Sequence, residues 1–445
     1  MTIKRIVIKK LYDKYDFDVC FNDSVNLLYG PNGCGKTTLL NIASYMLGGE
    51  LYKFKSIVFR KIQVELKAND KIINYEINRE KDTLKCNIDE KTFIYYFQKD
   101  MEFYMDDSID EIEFRKKDID QYPELQKFVN QLSLTFLPLD RINHNYYNDY
   151  NYFRIRSRKY RFNKIPGLPV DYSDLDSSIN MVKDRIKERY YTYSTKLQEA
   201  TNKFKNDLLS SLVTPEEHSI KEISQLINKY NANTIKKKGE LYIKALENNG
   251  LLDATLRQKY DEYFSKLADD LTALKEEQST KNSNHSHVIF SILELNKMEK
   301  TIKWAEKVDE TRNKLYKPIN DFCNIINSFF SVANSEKRIV INDGQIKLLV
   351  EGIQNDQCID IENMSSGEKQ LVIFFANLIF DSSNGKNSIV LIDEPELSLH
   401  LVWQKMFVEQ ALKASPNSQF IMATHSPEIV GKYRGNTVKI SRSIK

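Results

Sequence analysis

The chain has 445 residues, of which 29% are charged and 41% hydrophobic, and its formal net charge is +3. This length suits about two or three domains, and the near balance of charge favours neither a strongly nucleic-acid-binding nor an acid-rich protein. The five cysteines are odd in number, widely spaced and free of a C-x-x-C pair, which disfavours a disulfide framework and a zinc site and indicates a reducing compartment. The N-terminus has no apolar signal core, and no apolar run approaches a membrane span, so we expect a cytoplasmic protein without a membrane partner.

A phosphate-binding loop follows the first predicted strands. Residues Gly30–Thr38 read GPNGCGKTT and fit the pattern G-x-x-x-x-G-K-[ST]. An apolar strand over Val25–Tyr29 precedes the loop and a helix over Thr38–Leu47 follows it, which is the context that the pattern requires. In such a loop backbone N–H groups surround the phosphates, the lysine reaches the outer ones and the Thr37 hydroxyl binds Mg²⁺. The predicted ATP contacts are Asn32, Gly33, Cys34, Gly35, Lys36, Thr37 and Thr38.

Strands dominate the first third of the chain. Apolar runs over 57–66 and 72–77 flank a predicted hairpin turn at 68–71, and further runs lie at 93–97 and 134–139. The last run ends near Arg141, at a strand end where α/β proteins often place ligand contacts. Arg141 is equally compatible with a capping or salt-bridged residue.

A tract rich in aromatic and basic residues spans 143–169. Rings that stack on bases and cations that hold phosphates would make it a nucleic-acid surface, and the same residues would dock an acidic protein. A solvated strand pair with alternating faces is the simpler alternative.

A helical pattern replaces the strands from about 174 to 330, with apolar residues at three- and four-residue spacing. We interpret this region as an inserted helical arm. It has no cysteine pair, so a zinc-hook tip is excluded. His285 and His287 lie in a predicted loop with no third ligand nearby, so we interpret them as loop residues.

The chain then returns to a sheet and ends in a second set of motifs. Strands over 338–341 and 345–350 flank Asn342-Asp343-Gly344, a strong hairpin signal. The turn Ser365-Ser366-Gly367 opens an apolar helix over 371–380, and its free N–H groups make it an anion site. A buried strand over 388–392 delivers Asp393 and Glu394, a helix is predicted over 398–413, and the strand 419–423 leads to His425.

These residues form a plausible ATP hydrolysis site together. Asp393 is the predicted Mg²⁺ ligand with Thr37, Glu394 the general base and His425 a sensor of the γ-phosphate, with Lys36 also acting on the phosphates. On its own, a histidine after a strand is more often a structural residue, and it is the order of the motifs that favours a role for His425. One phosphate loop and one second anion turn in the same chain suggest that ATP is sandwiched between two copies, with Ser365, Ser366 and Gly367 contributed by the partner copy.

The motifs resemble those of the ATP-binding-cassette (ABC) superfamily, in its branch with chromosome-maintenance and recombination-repair ATPases and overcoming-lysogenization-defect nucleases. Gly30–Thr37 matches the Walker A loop, Met364–Gln370 the signature turn, Val390–Glu394 the Walker B strand and His425 the switch histidine. Met364 and Ser366 replace the commoner Leu and Gly of the signature. Gln98 is a candidate for the Q-loop glutamine. The resemblance implies an α/β, ABC-type P-loop ATPase head, with a mixed sheet and an antiparallel β subdomain, that binds ATP and Mg²⁺. The implied domains are an N-terminal lobe at 1–170, an inserted helical or coiled-coil arm at 171–334 and a C-terminal lobe at 335–445.

One departure from that branch bears on partners. The nucleases carry a Toprim domain after the ATPase, whereas this sequence ends soon after His425. The chain thus resembles the stand-alone ATPase subunits of two-gene antiphage systems, such as those of PARIS and Septu, by architecture alone. That resemblance implies a homo-oligomer that responds to a phage-encoded trigger protein or DNA and controls a separately encoded effector, such as a Toprim or HNH nuclease. The main alternative is a DNA-binding recombination or repair ATPase. A transporter subunit is disfavoured by the long helical insertion.

Overall fold

A computed structural model of the chain describes residues 1–68, 71–97, 115–137, 174–213, 225, 229–276, 286–333, 336–350, 358–382 and 388–444. Gln98, Arg141, the tract at 143–169 and His285 lie outside these residues. The strands, in chain order, are β1 (Thr2–Leu11), β2 (Tyr15–Cys20), β3 (Val25–Tyr29), β4 (Lys61–Ala68), β5 (Lys71–Glu80), β6 (Thr83–Ile88), β7 (Lys91–Tyr96), β8 (Leu134–Leu137), β9 (Lys337–Asn342), β10 (Gln345–Val350), β11 (Cys358–Ile359), β12 (Ile389–Asp393), β13 (Gln419–Thr424), β14 (Thr437–Val438) and β15 (Ser441–Ile444). The helices are α1 (Lys36–Gly48), α2 (Pro123–Gln131), α3 (Asp174–Val213), α4 (Ala232–Asn248), α5 (Ala254–Glu276), α6 (Ser286–Val332), α7 (Ser366–Ser382), α8 (Leu401–Ala414) and α9 (Pro427–Val430).

The chain divides into two compact units. The first combines Met1–Lys187 with Pro318–Lys445, and the second is Glu188–Lys317. The predicted domain boundaries at 170–171 and 334–335 fall outside the described residues and stay predictions.

The first unit holds three sheets. A five-stranded parallel sheet has the order β14-β3-β13-β12-β8, and a seven-stranded antiparallel sheet has the order β15-β2-β1-β4-β5-β6-β7. Helix α1 packs against β8, β12 and β13, and one apolar core joins this helix to both large sheets. Every residue of β12 and β13 is buried, as expected for central parallel strands covered on both faces.

The third sheet is antiparallel and three-stranded, in the order β11-β10-β9. The predicted hairpin between β9 and β10 is confirmed, with Asp343 at φ 50° and Gly344 at φ 75°. Two consecutive positive φ angles define the turn that matches the twist of a two-residue hairpin.

Two of the predicted elements begin later than expected. The strand predicted from Ile57 begins at Lys61, because Arg79 donates hydrogen bonds to the carbonyls of Phe54 and Ile57 (2.6 and 2.5 Å) and holds that stretch as a turn. The helix predicted from Ser398 begins at Leu401, since Ser398 has φ 62°, which a right-handed helix does not accommodate.

The second unit is helical, as predicted, and has its own apolar core. That core includes Phe204, Ile235, Leu246, Phe264 and Leu295. A Cβ atom on Gly239 would lie 2.5 Å from Cγ of Phe264, so the glycine allows α4 and α5 to approach closely. No helix within the described ranges is long and apolar enough to cross a membrane.

Candidate functional site

The loop between β3 and α1 exposes backbone donors. Gly33 and Gly35 have φ angles of +75° and +99°, and a Cβ atom on Gly35 would lie 2.9 Å from the ring of Phe17. Gly35 caps α1 without a side-chain hydrogen bond. The first N–H groups of α1 therefore face outward without a capping side chain, together with the positive end of the helix dipole, which is how a helix binds phosphate.

Lys36 is held inside this loop by the carbonyl groups of the loop itself. Its side chain is 5% exposed, and Nζ donates to the carbonyl oxygens of Gly30 (2.9 Å) and Pro31 (3.2 Å). The ammonium group is thus fixed beside the open N–H groups, where a phosphate oxygen would meet both.

Asp393 lies at the end of β12, directly beside the loop. Its carboxylate is 2% exposed, and it accepts a hydrogen bond from the Thr37 hydroxyl. Burial raises the pKa of Asp393, and the Thr37 bond opposes that rise. Its buried Oδ1 atom has no hydrogen-bond partner among the described residues. A buried carboxylate oxygen without a partner, next to a threonine hydroxyl, fits Mg²⁺, which takes hard oxygen ligands.

Glu394 and His425 lie side by side on adjacent strands. Strands β12 and β13 pair in parallel, with Asp393 opposite Ala423, so their C-terminal ends place the next residues at one edge. The distance from Oε1 of Glu394 to Nε2 of His425 is 3.8 Å. Glu394 has φ 45°, an uncommon conformation for a residue with a side chain. Such outliers concentrate at functional sites.

The turn Ser365-Ser366-Gly367 is built as a capping box. The N–H of Ser365 donates to Glu368 (2.8 Å), the N–H of Glu368 donates to the Ser365 hydroxyl (3.4 Å), and Lys337 of β9 bonds the same carboxylate at 3.0 Å. A Cβ atom on Gly367 would lie 2.4 Å from the carbonyl oxygen of Ser398. The glycine is therefore required by the contact with the turn that follows β12, a reason that the sequence did not suggest.

Glu368 and Glu396 were missed as site residues by sequence reasoning. The spacing Ser365-x-x-Glu368 is a capping-box signature and would have identified the first. Glu396 accepts hydrogen bonds from residues 424–426 of the distant strand end, and a contact over that sequence separation leaves no local pattern.

The structure brings Lys36, Thr37, Asp393, Glu394 and His425 together at one edge of the parallel sheet. The signature turn contacts β9 and the 395–398 turn, and its Ser365 and Ser366 are exposed. No group of three or more His, Cys, Asp or Glu side chains that would hold a metal by themselves occurs in the described part of the chain. A magnesium ion here would rely on Thr37, Asp393 and the nucleotide.

The loop, the paired carboxylates and the histidine on a parallel sheet define a P-loop nucleoside triphosphatase. A family model described as an AAA ATPase domain matches residues 1–430. The chain belongs to this AAA ATPase domain family. The predicted class, a P-loop ATPase with an inserted helical region, is confirmed by this match and by the fold.

Two curated relatives are probable ATPases of retrons. The chain is 38% identical over 98 residues to the retron Vc95 probable ATPase of Vibrio cholerae serotype O1 biovar El Tor. The aligned segment covers 20% of this chain and 19% of that protein. The chain is 26% identical over 179 residues to the retron Ec83 probable ATPase of Escherichia coli, which covers 36% of this chain and 33% of that protein. The chain thus matches at most a third of the length of these relatives.

Among solved structures, Smc head domains are similar to the chain over its full length. One is an Smc head bound to the C-terminal winged-helix domain of ScpA, with TM-score 0.42, 10% identity and coverage of 100% of this chain and 98% of that one. Another, from Pyrococcus furiosus, is an Smc head with an extended coiled coil bound to the C-terminal domain of ScpA, with TM-score 0.40, 13% identity and coverage of 100% and 96%. At these scores the fold assignment rests on the strand order and the family match.

Proposed function

We propose that the chain is the ATP-binding and ATP-hydrolysing sensor of a two-component antiphage system, which assembles through ATP held between two copies and controls a separately encoded effector, such as a Toprim or HNH nuclease. The observation that carries this proposal is the division of one chain into a phosphate edge, with Lys36, Asp393 and His425, and an exposed signature turn at Ser365 and Ser366. Each half carries groups that bind phosphate. In the proposed assembly the two halves of one copy contact two different nucleotides. The similarity to retron ATPases supports the defence role.

The geometry supports a role for each residue of the site. The N–H groups of the loop and Lys36 bind the phosphates. Thr37 and Asp393 would hold Mg²⁺, which would supply positive charge to neutralise the phosphate oxygens. Glu394 accepts the proton of the attacking water, since its side chain is 30% exposed and reaches solvent. His425 orients the γ-phosphate beside it.

Lys36→Ala tests the site and the defence role together. We expect the variant to lose ATP binding, measured with a fluorescent ATP analogue, and to lose phage resistance in cells that carry the native locus. Lys405→Ala is the control, because the Lys405 side chain is 64% exposed and its ion pair with Glu428 is long, at 3.7 Å. Wild-type ATP binding by Lys36→Ala would refute the site. Loss of ATP binding with full phage resistance would refute the defence role.

A further inference from the structure

Glu396 lies in the turn that follows Glu394. Both of its carboxylate oxygens accept hydrogen bonds from residues 424–426, which we call the histidine loop because it carries His425. Oε2 of Glu396 accepts from the Thr424 hydroxyl at 2.8 Å, and Oε1 accepts from the N–H groups of His425 (2.6 Å) and Ser426 (3.0 Å). Hydrogen bonds to an ionised carboxylate are stronger than those between neutral groups. Because two adjacent N–H groups donate to one oxygen, the direction of the backbone at 425–426 is fixed.

The other side of the same loop is held by Gln404 of α8. The Ser426 hydroxyl donates to Oε1 of Gln404 at 2.6 Å and accepts from the first N–H groups of α9. Nε2 of Gln404 donates to the carbonyl of Leu399 at 2.8 Å, so its own orientation is also fixed. Thr424 and Ser426 are buried. The backbone on both sides of His425 is thus defined by buried polar contacts.

The imidazole of His425 is less buried than its neighbours Thr424 and Ser426. Its side chain is 32% exposed and approaches Glu394 at 3.8 Å. The ring is carried by the backbone of 424–426, so its position beside Glu394 depends on the contacts by which Glu396 holds that backbone. The 395–398 turn also meets Gly367 at the carbonyl of Ser398, so one turn touches the histidine loop and the signature turn.

We propose that Glu396 is a positioning residue for ATP hydrolysis, which acts through His425 by fixing the loop that carries the imidazole beside Glu394. This inference rests on the proposed function, because it assumes that His425 acts on the γ-phosphate. Both carboxylate oxygens of Glu396 accept hydrogen bonds from residues 424–426, so its effect on the reaction is indirect. The competing explanation is that Glu396 only stabilises the fold.

The experiment compares steady-state ATPase kinetics, ATP affinity and thermal unfolding for Glu396→Ala, Glu396→Gln, His425→Ala and the Glu396→Ala/His425→Ala double variant. Glu428→Gln is the control, since Glu428 lies in the adjacent helix and its carboxylate faces solvent and Lys405. We expect Glu396→Ala to lower kcat by about 10- to 100-fold, as loss of an outer contact does elsewhere, while ATP affinity stays within about twofold. Glu396→Gln keeps one acceptor oxygen and should fall between this variant and the wild type.

The double variant separates positioning from a structural role. If Glu396 acts through His425, adding Glu396→Ala to His425→Ala lowers kcat by less than about twofold further, because residues that act as a unit are not additive. The proposal is overturned if the two losses in kcat multiply independently in the double variant. It is also overturned if His425→Ala is inactive while Glu396→Gln or Glu396→Ala keeps the wild-type kcat. If Glu396→Ala fails to fold, the folded Glu396→Gln decides by the same criterion. Wild-type kcat for His425→Ala would instead refute the role assigned to His425 in the proposed function.

Discussion

Asp393 and Glu394 are neighbours in sequence, yet their surroundings differ. Asp393 is 2% exposed and bonded by Thr37, whereas Glu394 is 30% exposed and adopts a left-handed backbone conformation. Two carboxylates in different environments take different roles. The buried one suits a metal, and the open one suits a water molecule.

Glu394→Gln should separate hydrolysis from binding. The amide keeps the size of the side chain but accepts no proton, so we expect kcat to fall by about 100-fold or more while ATP stays bound. Single-turnover hydrolysis and a filter-binding assay measure the two effects. Glu428→Gln should leave both unchanged, and wild-type turnover by Glu394→Gln would show that another group is the base.

Asp118 should make stability depend on pH. It is buried in the helical segment 115–120, accepts a hydrogen bond from the Tyr95 hydroxyl at 2.9 Å, and burial raises its pKa to about 6. A raised folded-state pKa favours the protonated form, so this contribution to stability is complete below about pH 4 and is lost as pH rises through about 6. Relative to Asp118→Asn, the free energy of unfolding of the wild type should fall by on the order of 3 kcal/mol across that window. Urea unfolding at several pH values measures it, and parallel pH profiles would contradict the prediction.

Among the elements, the sequence predicted those that carry a motif or a clear period. The strand–loop–helix around Lys36 and the buried strand that ends at Asp393 were both found, because their spacing is dictated by phosphate and metal chemistry. Strand β6 was missed, since Leu84 and Cys86 are its only buried residues and provide little alternation. The start of α8 was misplaced because a local turn precedes it, in which the N–H of Leu399 donates to the carbonyl of Glu396 and Ser398 has φ 62°.

Helix α7 is connected to the beginning of α3 by polar contacts within the first unit. Lys369 of α7 donates a hydrogen bond to Asp176 of α3 at 2.5 Å. Arg185 of α3 donates to the side chain of Asn377, which is fully buried, at 2.9 Å. The helix that opens with the signature turn is therefore anchored at its start and in its middle. A shift of the turn requires these contacts to change.

Gly367→Ala should displace α7 from the turn after β12. The added methyl group would clash with the Ser398 carbonyl, a backbone atom, so we expect a loss of about 1–3 kcal/mol in the free energy of unfolding and weaker ATP-dependent assembly. Gly435→Ala is the control, since nothing lies within 4 Å of a Cβ atom there. Urea unfolding and sedimentation velocity with ATP measure both effects. Equal behaviour of the two variants would show that the contact is unimportant.

On the scale of the whole molecule, the proposed shared site predicts complementation. Lys36→Ala damages the phosphate loop and Ser366→Arg the exposed signature turn, so each variant alone should be inactive. Mixed in equal amounts, the variants form some dimers with one intact site, and with random pairing and independent sites we expect about a quarter of wild-type ATPase activity. Activity that stays at the level of either variant alone would contradict a site shared between two copies.

The strand order has a consequence for how the chain is made. Strand β3, which leads into the phosphate loop, lies between β13 and β14, and both of these come from the last part of the sequence. During synthesis β3 therefore waits on the order of tens of seconds for its neighbours at ordinary translation rates. Meanwhile the helices of Glu188–Lys317 emerge with a core of their own. The nucleotide site is thus among the last parts to form, and truncated translation products lack the partners of β3 and cannot complete it.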